Sequence, residues 1–332
     1  MGQQYSFTKL PNHAQVLALR MFDDIELVAF SFLSNRTLTV AKSLKRKTDV
    51  RVAIKSDVKV TLETDFSTRL TFYENRNPPP TEFHVPNTIN IQIRTMDRVE
   101  DLVWENMTVE LKAWILHIMK LFHQSSLSQI YITSEHRFSL NSIYHLLSDL
   151  KADSLDFFYD TTTTRSIQAP SLLIPSHLLI FRNRNPFETP TELQKMLLQN
   201  VTSISANDFQ SFQLNDLMTC NCKILIADHV QISVKQMRKW FKLWENGANP
   251  RLETVFLNFY TTDPEIDSFV DNQAQYTKLT REVYMGYAYP GADVRNRFEL
   301  WRKDRRGMAH VVVTREIEMD RVLCTIWMKV FN

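Results

Sequence analysis

Hydrophobic and polar residues follow three different periods along the 332-residue chain, and each period predicts a different kind of structure. Residues 7–47 carry apolar side chains at i, i+3, i+4 and i+7 spacing, which indicates helices. Ala14, Leu17 and Met21 lie on one such stripe, and Asp23-Asp24 can cap a second helix. The second helix is apolar on two faces, which forty residues cannot bury by themselves. We therefore expect another surface to cover one of these faces.

Two stretches change to a period of two, which predicts β-strands with one polar face. In the first stretch, 49–94, Val50, Val52 and Ile54 alternate with more polar residues before a turn at Ser56-Asp57. The second stretch, 295–332, alternates in the same way. Because antiparallel sheets often leave one face in water, we predict one antiparallel sheet built from both ends of the chain.

Between these stretches, residues 100–262 alternate between helical and strand-like patterns. The helical signals are an apolar stripe at 109–122, capping boxes at Thr189–Glu192 and Ser233–Gln236, and a C-terminal cap at Gly247. Short apolar strands recur mostly at the 20–29-residue steps typical of leucine-rich repeats, but the usual asparagine is missing from most copies. Two architectures stay open here, an irregular leucine-rich-repeat-like β-α solenoid and an ordinary α/β layer. The fold class predicted for the whole chain is α+β.

Composition argues against nucleotide chemistry and membrane insertion. The chain has only 5 glycines, where average usage of roughly 7% would give about 23, and none begins a G-x-G-x-x-G loop. A net charge of +2 leaves no overall electrostatic footprint for nucleic acid, so no nucleic-acid partner is expected. No apolar run is long enough for a transmembrane segment, and no apolar signal segment opens the chain. Three cysteines, an odd number, favour a reducing cytoplasmic or nuclear compartment.

No arrangement of side chains resembles a catalytic or metal centre. Cys220 and Cys222 have no second ligand pair nearby, so we interpret them as small buried residues. Trp240, Phe241 and Trp244 recur at helical spacing, which favours a core face, although one exposed tryptophan could act as a binding hot spot. We therefore expect a non-catalytic protein without a metal or cofactor.

Three stretches resemble one family. The sequence DDIELVAFSFLSNRT at Asp23–Thr37, preceded by Leu10-Pro11, resembles an F-box, the module that docks on the Skp adaptor of Skp–cullin–F-box ubiquitin ligases. The sequence WENGANPRLE at Trp244–Glu253, together with LNDL at 214–217 and NCK at 221–223, looks like the F-box-associated domain of the large nematode F-box family. The segment FELWRKD at Phe298–Asp304 looks like that family's ending.

The resemblance implies two domains, an F-box-like helical domain at 1–48 and an F-box-associated substrate-binding domain at 49–332. It also implies adaptor-binding residues, namely Leu10, Pro11, Leu17, Ile25, Leu27, Val28, Phe30 and Leu33. Asp24 stands where the family usually has proline, and Ala14, Gln15 and Ala18 stand where it has large aliphatic residues. Smaller side chains bury less apolar area, so adaptor binding weaker than usual is expected.

The expected function is that of a substrate receptor. The N-terminal helices would bind the Skp-type adaptor, and through it a cullin, while the region from about residue 100 onward would bind an unknown target protein. The alternative is a repeat-type interaction scaffold without ubiquitin ligase coupling, in which the helices only seal the end of the repeats. Met1–Ser6 also fits the permissive acylation pattern, which would place a myristoyl group on Gly2.

Overall fold

The structure is a computed structural model that describes residues 7, 10–63, 67–73, 82–83, 85–94, 99–105, 108–159, 177–183, 185–187, 189–207, 212–261, 293–303, 307–318 and 321–331. The chain divides into two compact units, Met1–Leu155 and Asp156–Asn332. The described residues form eight helices and fourteen strands, which confirms the α+β class.

The first unit begins with three short helices, α1 (Asn12–Leu19), α2 (Asp24–Ser31) and α3 (Asn35–Ser43). Asp23 caps α2 as predicted: its carboxylate accepts from the Glu26 amide at 2.7 Å, and the Glu26 carboxylate accepts from the Asp23 amide at 2.8 Å. A similar capping box at Ser34 starts α3. Beyond α3, Arg46 donates to the Asp24 carboxylate at 3.2 Å. This ion pair therefore connects the segment that follows α3 to the start of α2.

Five antiparallel strands follow the helices: β1 (Asp49–Ile54), β2 (Val58–Glu63), β3 (Ser67–Tyr73), β4 (Thr88–Arg94) and β5 (Val99–Glu105). Each pairs with the next, which confirms the strands predicted over 49–94. Val50, Val52 and Ile54 are fully buried, whereas the residues between them are partly exposed. The period of two thus marks one buried and one wetter face. β5 was not predicted, because most of its side chains are exposed and its pattern carries no buried face.

The first unit continues with α4 (Leu111–Leu121), β6 (Leu127–Thr133) and α5 (Leu140–Leu147). β6 pairs in parallel with β1, and Val52 lies opposite Ile130. Both side chains are fully buried. The next strand, β7 (Ala152–Phe158), contains the division between the two units.

The second unit alternates strands and helices: β8 (Leu178–Arg182), α6 (Pro190–Leu197), β9 (Ser203–Asn207), α7 (Leu214–Thr219), β10 (Ile224–Ala227), α8 (Val234–Glu245) and β11 (Thr254–Thr261). The four strands pair in parallel in chain order. The predicted capping boxes at Thr189 and Ser233 start α6 and α8. Both open architectures share this order, so the leucine-rich-repeat assignment stays a prediction.

Three long antiparallel strands complete the second unit: β12 (Asp293–Trp301), β13 (Met308–Glu318) and β14 (Arg321–Phe331). β14 pairs with β13 on one side and antiparallel with β11 on the other. The prediction that both chain ends build one antiparallel sheet with each other is therefore wrong in its pairing. Each group instead extends a parallel strand of its own unit, β1 beside β6 and β14 beside β11. Alternation reveals the faces of a strand but not its neighbour.

Gly247 ends α8 as predicted, with a positive φ of 97°. Its amide donates to the Trp244 carbonyl at 2.9 Å, and the Ala248 amide donates to the Leu243 carbonyl at 3.0 Å. These two bonds form a Schellman motif, which satisfies carbonyls that the helix end leaves without intrahelical donors.

The buried Asn249 side chain joins the end of α8 to the end of α7. Its Oδ1 accepts from Trp240 Nε1 at 3.2 Å, and its Nδ2 donates to the carbonyls of Leu217 and Cys220, each at 3.0 Å. The backbone of Asn249 has φ +48°, a left-handed conformation that asparagine adopts more readily than most residues. The WENGANPRLE sequence thus supplies both a helix stop and a polar connection between two helices.

Arg302, which follows β12, covers the same junction. It is 8% exposed, its guanidinium lies 4.8 Å from the centre of the Trp244 ring, and its Nη2 donates to the Asn249 carbonyl at 3.1 Å. A residue near the C-terminus thus completes the packing around the α8 end by a cation–π contact and a charged hydrogen bond.

Candidate protein-binding surfaces

The strands of the second unit have one buried and one open face. Successive side chains of a strand point to opposite faces. On one face they are fully buried, as Leu225, Leu257 and Ile326 illustrate at 0% exposure. Each of α6, α7 and α8 buries an apolar stripe, so we infer that the helices pack against this face. Side chains of the other face are mostly exposed or half-buried, which leaves it accessible to a partner.

A row of five apolar side chains and one serine crosses the middle of this open face. Strand pairing aligns the side chains of six neighbouring strands, in the order Ile180, Ser205, Ile226, Phe256, Trp327 and Val312. We call these residues the sheet-face row. At about 4.8 Å per strand, the row is about 24 Å long. Ile226 is 36% exposed, and Phe256 and Trp327 are half-buried.

Polar side chains border the sheet-face row on both sides. On one side, Lys329 Nζ donates to Thr254 Oγ1 at 3.1 Å across the β11–β14 pair. On the other side, Asn258 lies opposite Thr325. Trp301 lies on the same face, one row beyond Lys329, and is 53% exposed. An apolar centre with a polar border and an exposed tryptophan is the composition of protein–protein interfaces.

One ion pair lies at the β8 end of the open face. Arg182 donates through Nε and Nη2 to the Asp156 carboxylate at 3.0–3.2 Å, and Asp156 is 1% exposed. Burial raises the pKa of Asp156, and the hydrogen bonds and charge of Arg182 oppose this rise. The pair matches one positive with one negative group, so this end of the face presents little net charge.

The structure divides the eight residues that the resemblance assigns to adaptor binding. Three are internal core at 3% exposure or less: Ile25, Leu27 and Val28. Leu10 and Phe30 are half-buried. The other three are exposed: Pro11, Leu17 and Leu33. Leu17 is 58% and Leu33 is 73% exposed, so these side chains are accessible to a partner. Met21, just beyond the end of α1, is 85% exposed and was not among the predicted adaptor-binding residues, although the apolar stripe of the sequence included it.

The opposite side of α2 packs against α4. The centre of the Phe32 ring lies 4.1 Å from the centre of the Trp114 ring and 3.8 Å from the centre of the His117 ring. Ser31 Oγ donates to a carbonyl of its own helix at 2.7 Å, so His117 Nε2, also 2.7 Å away, is the donor between the two side chains. Burial, reinforced by the positive charge of Lys120, lowers the pKa of His117. A neutral imidazole therefore joins the helices, and α4 covers part of the apolar surface that α2 cannot bury alone.

The cysteine pair and the aromatic cluster of α8 lie in the core, as predicted. Cys220 and Cys222 are buried free thiols, and burial raises the pKa of Cys220 well above its usual range. Trp240, Phe241 and Trp244 are 1% exposed or less, so they form the predicted core face and none is a surface hot spot. Within the described ranges, no three His, Cys, Asp or Glu side chains come close enough to hold a metal ion.

The sheet-face row was missed in the sequence because both faces of its strands contain apolar residues. β11 reads TVFLNFYT, a nearly continuous apolar run that hides the difference between buried Val255 and half-buried Phe256. Gly2, the predicted acylation position, lies outside the described residues. No helix in the described part of the chain is long and apolar enough to cross a membrane.

Comparison with known proteins finds one segment of the chain that matches a protein family. The model of a family described as F-box associated matches residues 192–257, from α6 into β11. The matched segment includes the Asn249 junction and three residues of the sheet-face row, Ser205, Ile226 and Phe256. It supports an F-box-associated protein with a role in substrate binding. No curated protein and no solved structure matches the chain.

Proposed function

We propose that the protein is the substrate-recognition subunit of a Skp–cullin–F-box ubiquitin ligase of the nematode type, acting in the cytoplasm or nucleus. The observation that carries the proposal is the F-box-associated match at 192–257. The protein would perform no chemistry itself. It would bind the Skp-type adaptor, and through it a cullin, with one surface and a target protein with another, which raises the target's effective concentration near the ubiquitin carrier.

The adaptor half of the proposal depends on apolar side chains that α1–α3 leave exposed. Leu17 lies on α1 and is 58% exposed, and Met21 lies two residues beyond the end of α1 and is 85% exposed. Leu33 follows α2 and is 73% exposed. Burying three such side chains against a partner removes them from water, which contributes about 1.5–3 kcal/mol for each fully buried side chain.

The target half depends on the open face of the second unit. The sheet-face row supplies apolar contact, its polar border supplies hydrogen bonds, and Trp301 supplies an aromatic anchor. The row lies partly inside the segment that matches the F-box-associated family, which is why we assign target binding to this face.

Co-purification with the Skp-type adaptor tests the adaptor half. We expect Leu17→Asp with Leu33→Asp to abolish adaptor capture, because both place a charge where apolar contact is required. Leu198→Asp is the matched control, since Leu198 is a leucine with 57% exposure outside the N-terminal helices. Equal capture by the wild type and the double variant would exclude this interface. Ile25→Asp and Leu27→Asp would not test the interface, because both side chains are buried in the core and the variants would unfold.

Affinity capture with the proteasome inhibited tests the target half. Ile226→Asp with Trp301→Ala should lose proteins whose ubiquitination depends on this receptor, while adaptor capture continues. Loss of the same proteins with Leu198→Asp would argue against the open face.

The second candidate function is an interaction scaffold without ubiquitin ligase coupling. The contact of Phe32 with Trp114 and His117 favours it, because α4 already covers apolar surface that an adaptor would otherwise cover. This function predicts a stable protein that captures partners but no adaptor.

A further inference from the structure

The solvent side of α8 carries a positive stripe. Lys235, Arg238, Lys239 and Lys242 are its basic residues, and Glu245 is its single acidic residue. At 100° per residue, the four basic positions fall within about 100° of the helix circumference, opposite the buried stripe of Val234, Met237, Trp240, Phe241 and Trp244. They also lie within about 10 Å along the helix axis. We call these four residues the α8 cationic stripe.

The helix itself does not balance this charge. Lys235 lies one turn before Lys239, and Arg238 one turn before Lys242, so two like-charged pairs occupy i, i+4 positions that weaken a helix. Within the described residues, Lys235, Lys239 and Lys242 form no ion pair or side-chain hydrogen bond. These like-charged pairs therefore oppose helix stability, and the charges of the three exposed lysines are presented to solvent.

A groove borders the stripe between α7 and α8. Its volume is about 320 Å³, and Lys235 and Lys239 line one side. The facing side carries the exposed amide side chains of Gln213 and Asn215. The nearest acidic residue of α7, Asp216, is buried, and its carboxylate accepts a hydrogen bond from the backbone amide of Gln213 at 2.9 Å. The groove therefore combines two cations with amide donors, and none of its described lining residues is a carboxylate.

We propose that this groove and the α8 cationic stripe bind an acidic segment of a partner protein, whose carboxylate or phosphate groups meet Lys235 and Lys239. Charge complementarity selects the partner: three exposed lysines within about 10 Å match acidic residues that follow closely in sequence. Single-stranded nucleic acid fits less well, because base stacking requires exposed aromatic side chains and all three aromatic residues of α8 are buried. The surface lies on the helical side of the second unit, so the inference goes beyond the proposed function and does not depend on it.

Fluorescence anisotropy with the full-length protein tests the inference. The probes are a labelled peptide in which glutamate alternates with glycine, the same peptide with phosphoserine for glutamate, and a neutral version with glutamine. We expect both acidic peptides to bind, with affinity falling as salt rises, and the glutamine peptide not to bind. Stronger binding of the phosphoserine peptide would assign phosphate as the preferred group, and equal binding would assign carboxylate.

Lys235→Gln with Lys239→Gln should weaken binding of the acidic peptides by about fivefold or more. The matched control is Lys120→Gln with Lys151→Gln, which removes the same charge from exposed lysines of the first unit and should change affinity less than about twofold. Because the test variant removes a repulsive pair, its melting temperature should not fall, which separates lost binding from lost folding. Equal weakening by both variants, no binding of either acidic peptide, or tighter binding of an oligonucleotide than of the peptides would overturn the proposal.

Discussion

Replacing Asn249 by alanine should be among the most damaging single changes in the second unit. The variant leaves Trp240 Nε1 and the carbonyls of Leu217 and Cys220 without their partner. A buried polar group left unpaired costs about 1–3 kcal/mol, and alanine in the left-handed conformation of this residue costs about 1–2 kcal/mol more. Local relaxation recovers part of this, so we expect a loss of about 3–5 kcal/mol in the free energy of unfolding.

Calorimetry of the full-length protein is the appropriate assay. For a unit of this size, 1 kcal/mol shifts the melting temperature by about 2–4 °C, so Asn249→Ala should lower the transition of the second unit by about 10 °C. Asn249→Gly separates the two causes, because glycine accepts the backbone conformation but makes none of the side-chain bonds. We expect Asn249→Gly to remain strongly destabilised.

Asn246→Ala is the control for this series. Asn246 is exposed in the same loop, and its amide donates to the carbonyl of Lys242 on the helix surface. We expect a change below about 1 kcal/mol, as for most surface substitutions. A melting temperature for Asn249→Gly close to that of the wild type would refute the reasoning, because the hydrogen bonds would then carry no net stability.

Three further predictions concern neighbouring features. Gly247→Ala should lower stability by about 1 kcal/mol, because φ is +97°, while Gly247→Asn should lower it less, as calorimetry can compare. Arg302→Met should cost about 2 kcal/mol through the lost charged hydrogen bond and cation–π contact, whereas Lys303→Met, at an exposed neighbour, should be neutral in the same assay. The pKa of His117 in the folded protein lies below its ordinary value of 6.5, so the unfolded chain binds more protons as pH falls through 6.5 and stability decreases. His117→Gln should flatten this decrease in melting curves recorded from about pH 7.5 to 5.5, and an unchanged slope would contradict the assigned neutral imidazole.

Local sequence signals predicted the helix ends and most of the strands. The cap at Asp23, the boxes at Thr189 and Ser233 and the stop at Gly247 act within one helical turn, so neighbouring residues alone determine them. The same holds for β1 and β2, whose side chains alternate cleanly. Local signals could not predict which strands pair with each other. Nothing in the alternation of β14 distinguishes β11 as its neighbour, because the choice depends on how the long connections run.

The candidate surfaces were predictable only in part. The apolar positions of α2 indicated that something must cover its second face, but α4, about eighty residues later, supplies Trp114 and His117 for that purpose. Among the predicted adaptor residues, periodicity could not separate buried Leu27 from exposed Leu33, because α2 is apolar on most sides. The sheet-face row could not be predicted from the sequence for a similar reason. Phe256 and Phe259 are both aromatic, yet they occupy opposite faces of β11, and only the pairing reveals which face is open.

The Asn249 junction has a consequence for how this protein can be divided. The segment that matches the F-box-associated model ends at residue 257, inside β11, but the next strand beside β11 is β14, at 321–331. Arg302, which covers Trp244, also lies beyond that boundary. A fragment cut at 192–257 would expose the edge of β11 and leave an indole ring uncovered. We therefore expect that the matched segment does not fold by itself, because it depends on β14 and Arg302, which lie outside its boundaries.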